Sequence, residues 1–305
     1  MNLRILPHIA DALRDGRPVV ALESSVLAQG LPIPQNRQAA ERMVAAVEGA
    51  GALPAITGVV KGIPTIGLER DELERFLARE GVRKVSARDI PAAIIAGADG
   101  ATTVAATLAL ASQAGIRVFA TGGIGGVHRD APFDESADLV ELSRTPMIVV
   151  CAGAKSILDL PATWERLETL GVPVIGYQTA ELPGFFTAET GIALQTCVED
   201  VAPIAKFFDA HRSLGRSQSV VVVQAPPREF ALDRARVEAA VREAQAEAAK
   251  AGVSGARVTP FLLGAVTRLT GGSSLDANLA LLERNAALAG AIATICSGLR
   301  NDPLA

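Results

Sequence analysis

The feature that most constrains this chain is a series of short, continuously apolar runs separated by stretches of helical periodicity. A strand with one wet face alternates polar and apolar residues, so a strand without alternation is covered on both faces. The runs predict strands over residues 18–22, 56–60, 117–120, 147–151, 173–176 and 219–224. The segments between and after them predict helices over 36–50, 70–79, 102–112, 162–170, 198–214, 234–251 and 275–288. Asp233 stands where an N-cap is wanted for the helix that follows it. The expected fold is a three-layer α/β/α sandwich around a central sheet that is largely parallel, or mixed. Pro226-Pro227 and Gly271-Gly272 read as local turns rather than spacers, so one domain spanning 1–305 is expected.

Composition excludes several functions. The formal net charge is -4, so no global positive field draws the chain to nucleic acid. The first residues lack an apolar leader, and the run from Met147 to Ala154 is far shorter than a membrane span. Cys151, Cys197 and Cys296 are odd in number and widely spaced, which makes neither a disulfide framework nor a zinc pattern. A reducing cytoplasm is the expected location. Of 29 cationic residues only Lys61, Lys84, Lys155, Lys206 and Lys250 are lysine. Lysine, unlike arginine, can lose its proton and act as a nucleophile. Lys61, Lys84 and Lys155 adjoin apolar runs, whereas Lys206 and Lys250 read as solvated charges.

In an open α/β sheet, ligands bind beyond the carboxyl ends of the strands. The candidates there are Glu23-Ser24-Ser25, Lys61, the run Gly122–His128, Gly153-Ala154-Lys155 and Tyr177-Gln178-Thr179. Gly100–Val104, with the hydroxyls of Thr102 and Thr103, could form an anion site, although its local sequence reads first as an ordinary capped helix. The Gly-rich run lacks the dinucleotide-binding spacing. Asp134, Glu135 and Asp138 could hold a hard cation or could simply suit a helix N-terminus. His128 lies in the Gly-rich loop, where contact with a polar ligand is expected, while His8 and His211 read as surface residues. A lysine desolvated among small apolar residues sheds its proton more easily, and a second lysine nearby pushes the same way. Lys155 could therefore form a Schiff base or, alternatively, pair with a phosphate or carboxylate, with Glu23 as a general acid–base candidate.

Longer motifs carry a resemblance. They include Ala21-Leu22-Glu23-Ser24-Ser25, Gly100–Thr107, Ala120–Arg129, Ser136-Ala137-Asp138-Leu139 and Cys151–Asp159. Gly171–Thr179, Thr259–Leu263 and Thr270–Asn278 continue the series in order. Together they resemble the pseudouridine-5′-phosphate glycosidases, a family that includes the indigoidine-synthase-A-like proteins. The resemblance implies reversible splitting of pseudouridine 5′-phosphate into uracil and ribose 5-phosphate. It further implies a homotrimer and one divalent metal per subunit, usually manganese. By motif, Lys155 corresponds to the covalent nucleophile and Glu23 to the proton donor. Lys84, Val104 and the segment Ser136-Ala137-Asp138 correspond to substrate contacts, with Thr103, His128 and Asn278 placed in the same pocket. Asp134 corresponds to the metal ligand. Two segments depart from the family form: 129–133 is shorter, and Gln224–Glu229 lacks the usual Asn-Pro, which would alter the far pocket wall. Other readings are a Schiff-base aldolase or sugar-phosphate lyase, or a ligand-binding protein without turnover. A sugar kinase is disfavoured because no phosphate loop of the Gly-x-x-x-x-Gly-Lys type is present.

Overall fold

The apolar runs become strands, and the periodic segments between them become the helices that cover both faces. The structure, a computed structural model, describes residues 2–129 and 133–301. Its strands are β1 (Arg4–Ile5), β2 (Val19–Leu22), β3 (Leu53–Val60), β4 (Ile63–Ile66), β5 (Arg83–Val85), β6 (Gly100–Thr102), β7 (Val118–Ala120), β8 (Val127–His128), β9 (Ile148–Cys151), β10 (Leu158–Asp159), β11 (Val174–Tyr177), β12 (Cys197–Val198) and β13 (Val220–Val223). Its α-helices are α1 (Pro7–Arg14), α2 (Gln35–Gly49), α3 (Arg70–Ala78), α4 (Ile90–Ile95), α5 (Val104–Gln113), α6 (Ala137–Leu142), α7 (Leu160–Thr169), α8 (Ala202–Ser213), α9 (Arg234–Lys250), α10 (Val258–Leu269) and α11 (Ser273–Asn301).

Among the described residues one sheet runs in the order β1-β4-β3-β2-β7-β9-β13-β11-β12, with β6 pairing β3 and β5 pairing β6. From β3 to β12 in that order the pairings are parallel. β3 meets β4 and β6 antiparallel, so the sheet is mixed at one side. Every residue of β2, β7, β9 and β13 is buried, as expected for strands covered on both faces. α11 lies over β2, β7 and β9 and packs against α2, which covers β3, while α5 packs with α6 and on β2 and β3. The chain leaves β2 for β3 on one side, and β7 enters on the other. The gap between the carboxyl ends of β2 and β7 is thus a switch point, the place where α/β sheets hold ligands.

All six expected strands form, with ends shifted by a few residues. Three helical expectations change. Thr102 ends strand β6 and the helix starts at Val104, because the backbone of Gly100–Thr102 completes pairings with β3 and β5. Val198 belongs to β12, since it pairs with Tyr177, and its helix begins at Ala202. The helix expected over 275–288 runs from Ser273 to Asn301. Ser273–Gly298 is long and apolar enough to cross a membrane, although Asp276, Glu283 and Arg284 interrupt its apolar sequence. Here 67% of its apolar window is buried inside the protein. At Gly290 a Cβ would stand 2.6 Å from that of Ala50, so the small residue sets how closely α11 approaches α2.

Candidate active site

Three adjacent parallel strands deliver the chemistry to one level. Leu22, Ala120 and Val150 are in register across β2, β7 and β9. Glu23 therefore follows β2 beside Thr121, the residue after β7, and the turn carrying Lys155 follows β9. The Gly-rich loop and this turn are zipped together: Ile124 N donates to Gly153 O (3.1 Å), and Lys155 N donates to Ile124 O (3.1 Å). Gly153 has φ of 85°, and a Cβ there would lie 2.2 Å from Pro183 O. Only glycine makes that turn without strain. The result brings Lys155 Nζ to donate to Gly123 O at 2.8 Å.

Glu23 is buried, and its carboxylate is fixed from two sides. Oε2 accepts from Ser25 Oγ (2.6 Å), and Oε1 accepts from Thr121 Oγ1 (2.5 Å). Ser25 was among the candidates beyond its strand, whereas Thr121 was not, although it lies in a motif that carries the resemblance. A π-helical turn, Val26–Gly30, follows directly and lends Val26, Gln29 and Gly30 to the wall. Such turns recur at functional sites because the extra residue re-aims the backbone.

Glu23, Lys84, Thr103, Val104, His128, Asp134, Ser136, Ala137, Asp138, Lys155 and Asn278 all line one open cleft of about 460 Å³. That volume suits a small organic ligand. Asn278, on α11, has a buried Oδ1 without a hydrogen-bond partner, a polar group left for a ligand to satisfy. Lys84 lines the cleft from β5 and keeps accessible surface because the cleft is open. Even so, surrounding protein desolvates its amine, and this, followed by the Lys155 charge, pushes the Lys84 pKa below the ordinary lysine value. Asp138 and Glu23 pull in the opposite direction. Cys151, behind Lys155, is buried and its thiol is pushed up to about 11, which leaves it a poor nucleophile.

Several expectations are corrected. Thr102 is fully buried, and its hydroxyl joins those of Thr57, Thr107 and Ser24 under the sheet instead of facing a ligand. At the start of α5 the Ala105 N–H donates to Asp138 Oδ1 (2.9 Å), and the Ala106 N–H donates to Thr103 Oγ1 (3.4 Å). The capped-helix reading therefore describes that end better than an array of free donors. Asp138 Oδ2 accepts from Gly125 N (2.8 Å), so this carboxylate braces the Gly-rich loop against α5. Lys61 is exposed in the turn between β3 and β4, and neither it nor Tyr177–Thr179 lines the cleft. Gln224 is not on the cleft wall either; it is buried and donates to Arg284 O and Asn285 Oδ1 of α11. His211 is half-buried against Phe207, with its pKa lowered by desolvation, and is not a surface histidine. Asp130, Ala131 and Pro132, within the shortened segment, lie outside the described residues.

The three acidic residues near α6 do not form a metal cage. Glu135 pairs with Arg166 (2.8 Å), and Asp138 is committed to backbone N–H groups. Asp134 has a side chain 60% exposed at the cleft, with His128 Nδ1 3.4 Å from its Oδ2. Among the described residues no group of three or more His, Cys, Asp or Glu is placed to hold a metal. One exposed carboxylate beside a histidine, on an open cleft, fits a hard cation that keeps most of its water.

The profile of the indigoidine synthase A like protein family matches residues 8–295. The chain belongs to that family. A pseudouridine-5′-phosphate glycosidase of Gemmatimonas aurantiaca is 62% identical over 290 residues, covering 95% of each chain. The Escherichia coli K12 protein of the same description is 48% identical over 295 residues, covering 95% of this chain and 94% of its own. Among solved structures, the prealnumycin C-glycosynthase AlnA in complex with ribulose 5-phosphate is similar, with a TM-score of 0.90 and 41% identity over 98% of both chains. An indigoidine synthase A-like protein from Thermotoga maritima gives 0.89 and 36%, covering 97% of this chain and 96% of its own. The family's fold is the one described above.

Proposed function

We propose that this family member breaks and re-forms the bond between ribose C1′ and uracil C5 in pseudouridine 5′-phosphate. The observation that carries the reading is the convergence of Lys155, Glu23 and Lys84 on one cleft at the switch point. The high identity to relatives described as pseudouridine-5′-phosphate glycosidases supports the choice of substrate. A carbon leaving group is poor, so two carboxylates alone are insufficient and a covalent amine route suits the residues better.

In this mechanism the C1′–O4′ bond breaks and O4′ takes a proton. Lys155 Nζ bonds to C1′ and gives up a proton. The nitrogen lone pair then forms a C=N bond as the C1′–C5 bond breaks, its electrons passing into the uracil ring. Glu23 delivers a proton to C5, and uracil leaves. Water adds to the iminium carbon, and collapse returns the free Lys155 amine and the open-chain aldehyde of ribose 5-phosphate. Glu23 is suited to this because the Ser25 and Thr121 hydroxyls hold its carboxyl group in one orientation. Lys84 and Thr103 contribute charge and a hydroxyl where the phosphate would anchor, with Val104 and Ser136-Ala137-Asp138 shaping the adjoining wall. Asn278 and the Gly-rich loop with His128 complete the pocket. Asp134, beside His128, would hold the divalent cation, manganese in the family expectation, which supplies positive charge to an anionic substrate.

Incubating the folded protein with uracil, ribose 5-phosphate and manganese tests the reading. Formation of the C-nucleotide, followed by mass and absorbance, is expected, and its absence would sink the proposal. Lys155→Ala is expected to abolish borohydride-trapped adduct and to lower turnover on the order of 10³-fold or more. Adduct that persists would move the nucleophile to Lys84. An aldolase would instead trap a keto-sugar phosphate without releasing uracil, and a binding protein would hold ribose 5-phosphate without turnover. As a homotrimer, the protein is expected to sediment at three times its chain mass of 31.5 kDa.

A further inference from the structure

Arg129 stands one residue beyond His128, on the far side of the turn that carries Lys155. Its Nε donates to Leu158 O (3.0 Å) and its Nη2 to Ser156 O (3.1 Å). The same guanidinium forks onto Glu238, with Nη1 to Oε2 at 2.7 Å and Nη2 to Oε1 at 2.9 Å. Both carbonyls belong to the Lys155 turn, which Leu158 N closes by donating to Lys155 O (3.0 Å).

Behind this turn lies a second cavity of about 510 Å³, lined by Arg129, Ser156, Glu238 and residues of α7 and α9. Ser156 is 3% exposed, and its Oγ has no hydrogen-bond partner. Ala154, Ile157 and Leu158 pack into the core, whereas at Ser156 the turn faces open space, so on that side hydrogen bonds hold it. A planar guanidinium can reach two carbonyls and a carboxylate at once, which an ammonium cannot do with the same geometry. Glu238 sits on α9, which packs against α10, and α10 lends Thr259, Pro260 and Leu263 to the cleft. The pair thus links the Lys155 turn to the helices that close the other side of the site. The Arg129 hydrogen bond holds the Glu238 pKa below the ordinary value against the effect of burial, and Arg234 and Arg242 add to this.

We infer that Arg129, braced by Glu238, is a positioning residue that fixes the Lys155 turn so that Nζ is aimed at substrate C1′. The inference rests on Lys155 as the nucleophile, as proposed above. A misplacement of about 1 Å can cost about 100-fold in rate. Arg129→Lys keeps the charge and loses the fork, so kcat for pseudouridine 5′-phosphate is expected to fall about 100-fold with KM within about threefold. Borohydride trapping of the Lys155 adduct should slow in parallel. Glu238→Gln, which keeps the volume and one acceptor oxygen, should lower kcat about tenfold.

A second measurement needs no turnover. Amine labelling of the folded protein, read by peptide mass, compares Lys155 with exposed Lys61 as an internal reference. The Lys155:Lys61 labelling ratio is expected to change several-fold in both variants. Folded variants with wild-type kcat and an unchanged ratio would overturn the inference, and so would a raised KM with kcat intact. If Arg129→Lys fails to fold, Glu238→Gln decides by the same criteria. If wild type does not turn over pseudouridine 5′-phosphate, the proposed reaction fails, and the labelling ratio alone decides the positioning role.

Discussion

Lys155 and Lys84 illustrate how far single residues could be read. Both stood out as rare lysines beside apolar runs, and both line the cleft. Small apolar neighbours and a second lysine were expected around Lys155, but how far an amine is desolvated depends on which distant segments fold around it. In the structure the Lys84 proton is loosened, first by burial and then by Lys155. This has a consequence for stability. Folded Lys84 releases its proton at a lower pH than the unfolded chain, whose lysine keeps the ordinary value of 10.5. Between those two values the unfolded state binds more protons, so stability contributed at this site rises with pH. Below the window the cost of the desolvated charge is fully present. Lys84→Met should therefore raise the melting temperature at pH 7, with the gain shrinking as pH approaches 10.5. Melts across that range check it, and a gain that grows with pH would refute the assignment.

At the scale of elements, strands were legible because unbroken apolarity over so few residues is what a strand covered on both faces requires. The loops were legible in composition but not in contacts. Gly153 shows the difference. Its place in the run to Lys155 was plain, whereas its φ of 85° and its approach to Pro183 O exist only in the folded chain. Gly153→Ala should cost about 2 kcal/mol or more in a urea titration, from left-handed backbone and the clash together. It should also reduce turnover, because Lys155 lies two residues on. Asp138 makes the same point in reverse. By motif it belonged to the substrate-binding segment, yet its two oxygens accept from Ala105 and Gly125 N–H groups and tie a helix to the Gly-rich loop. The short strands β5 and β6 escaped notice because three residues carry too little periodicity to register.

For the whole molecule, α11 decides how the layers close. Its composition would allow a membrane span, and the structure instead buries most of its apolar window, in contact with α2 and with β2, β7 and β9. Gly290→Val should force α2 and α11 apart and destabilise the protein by about 1–3 kcal/mol, read from the urea midpoint. An unchanged midpoint would mean the helices are not held at that crossing. The alternation of buried strands and amphipathic helices determined the α/β/α class by itself, because the faces that need covering are encoded locally. The motifs also marked Glu23, Lys84 and Lys155, because the residue types a reaction needs are written in the chain. Tertiary structure alone decided that Glu23 would be gripped by Ser25 and Thr121, and that Thr102 would turn inward. It alone set a strut from Arg129 to Glu238 behind Lys155. Those contacts join residues as many as 109 positions apart, and a distance across the fold is fixed by packing, not by local pattern.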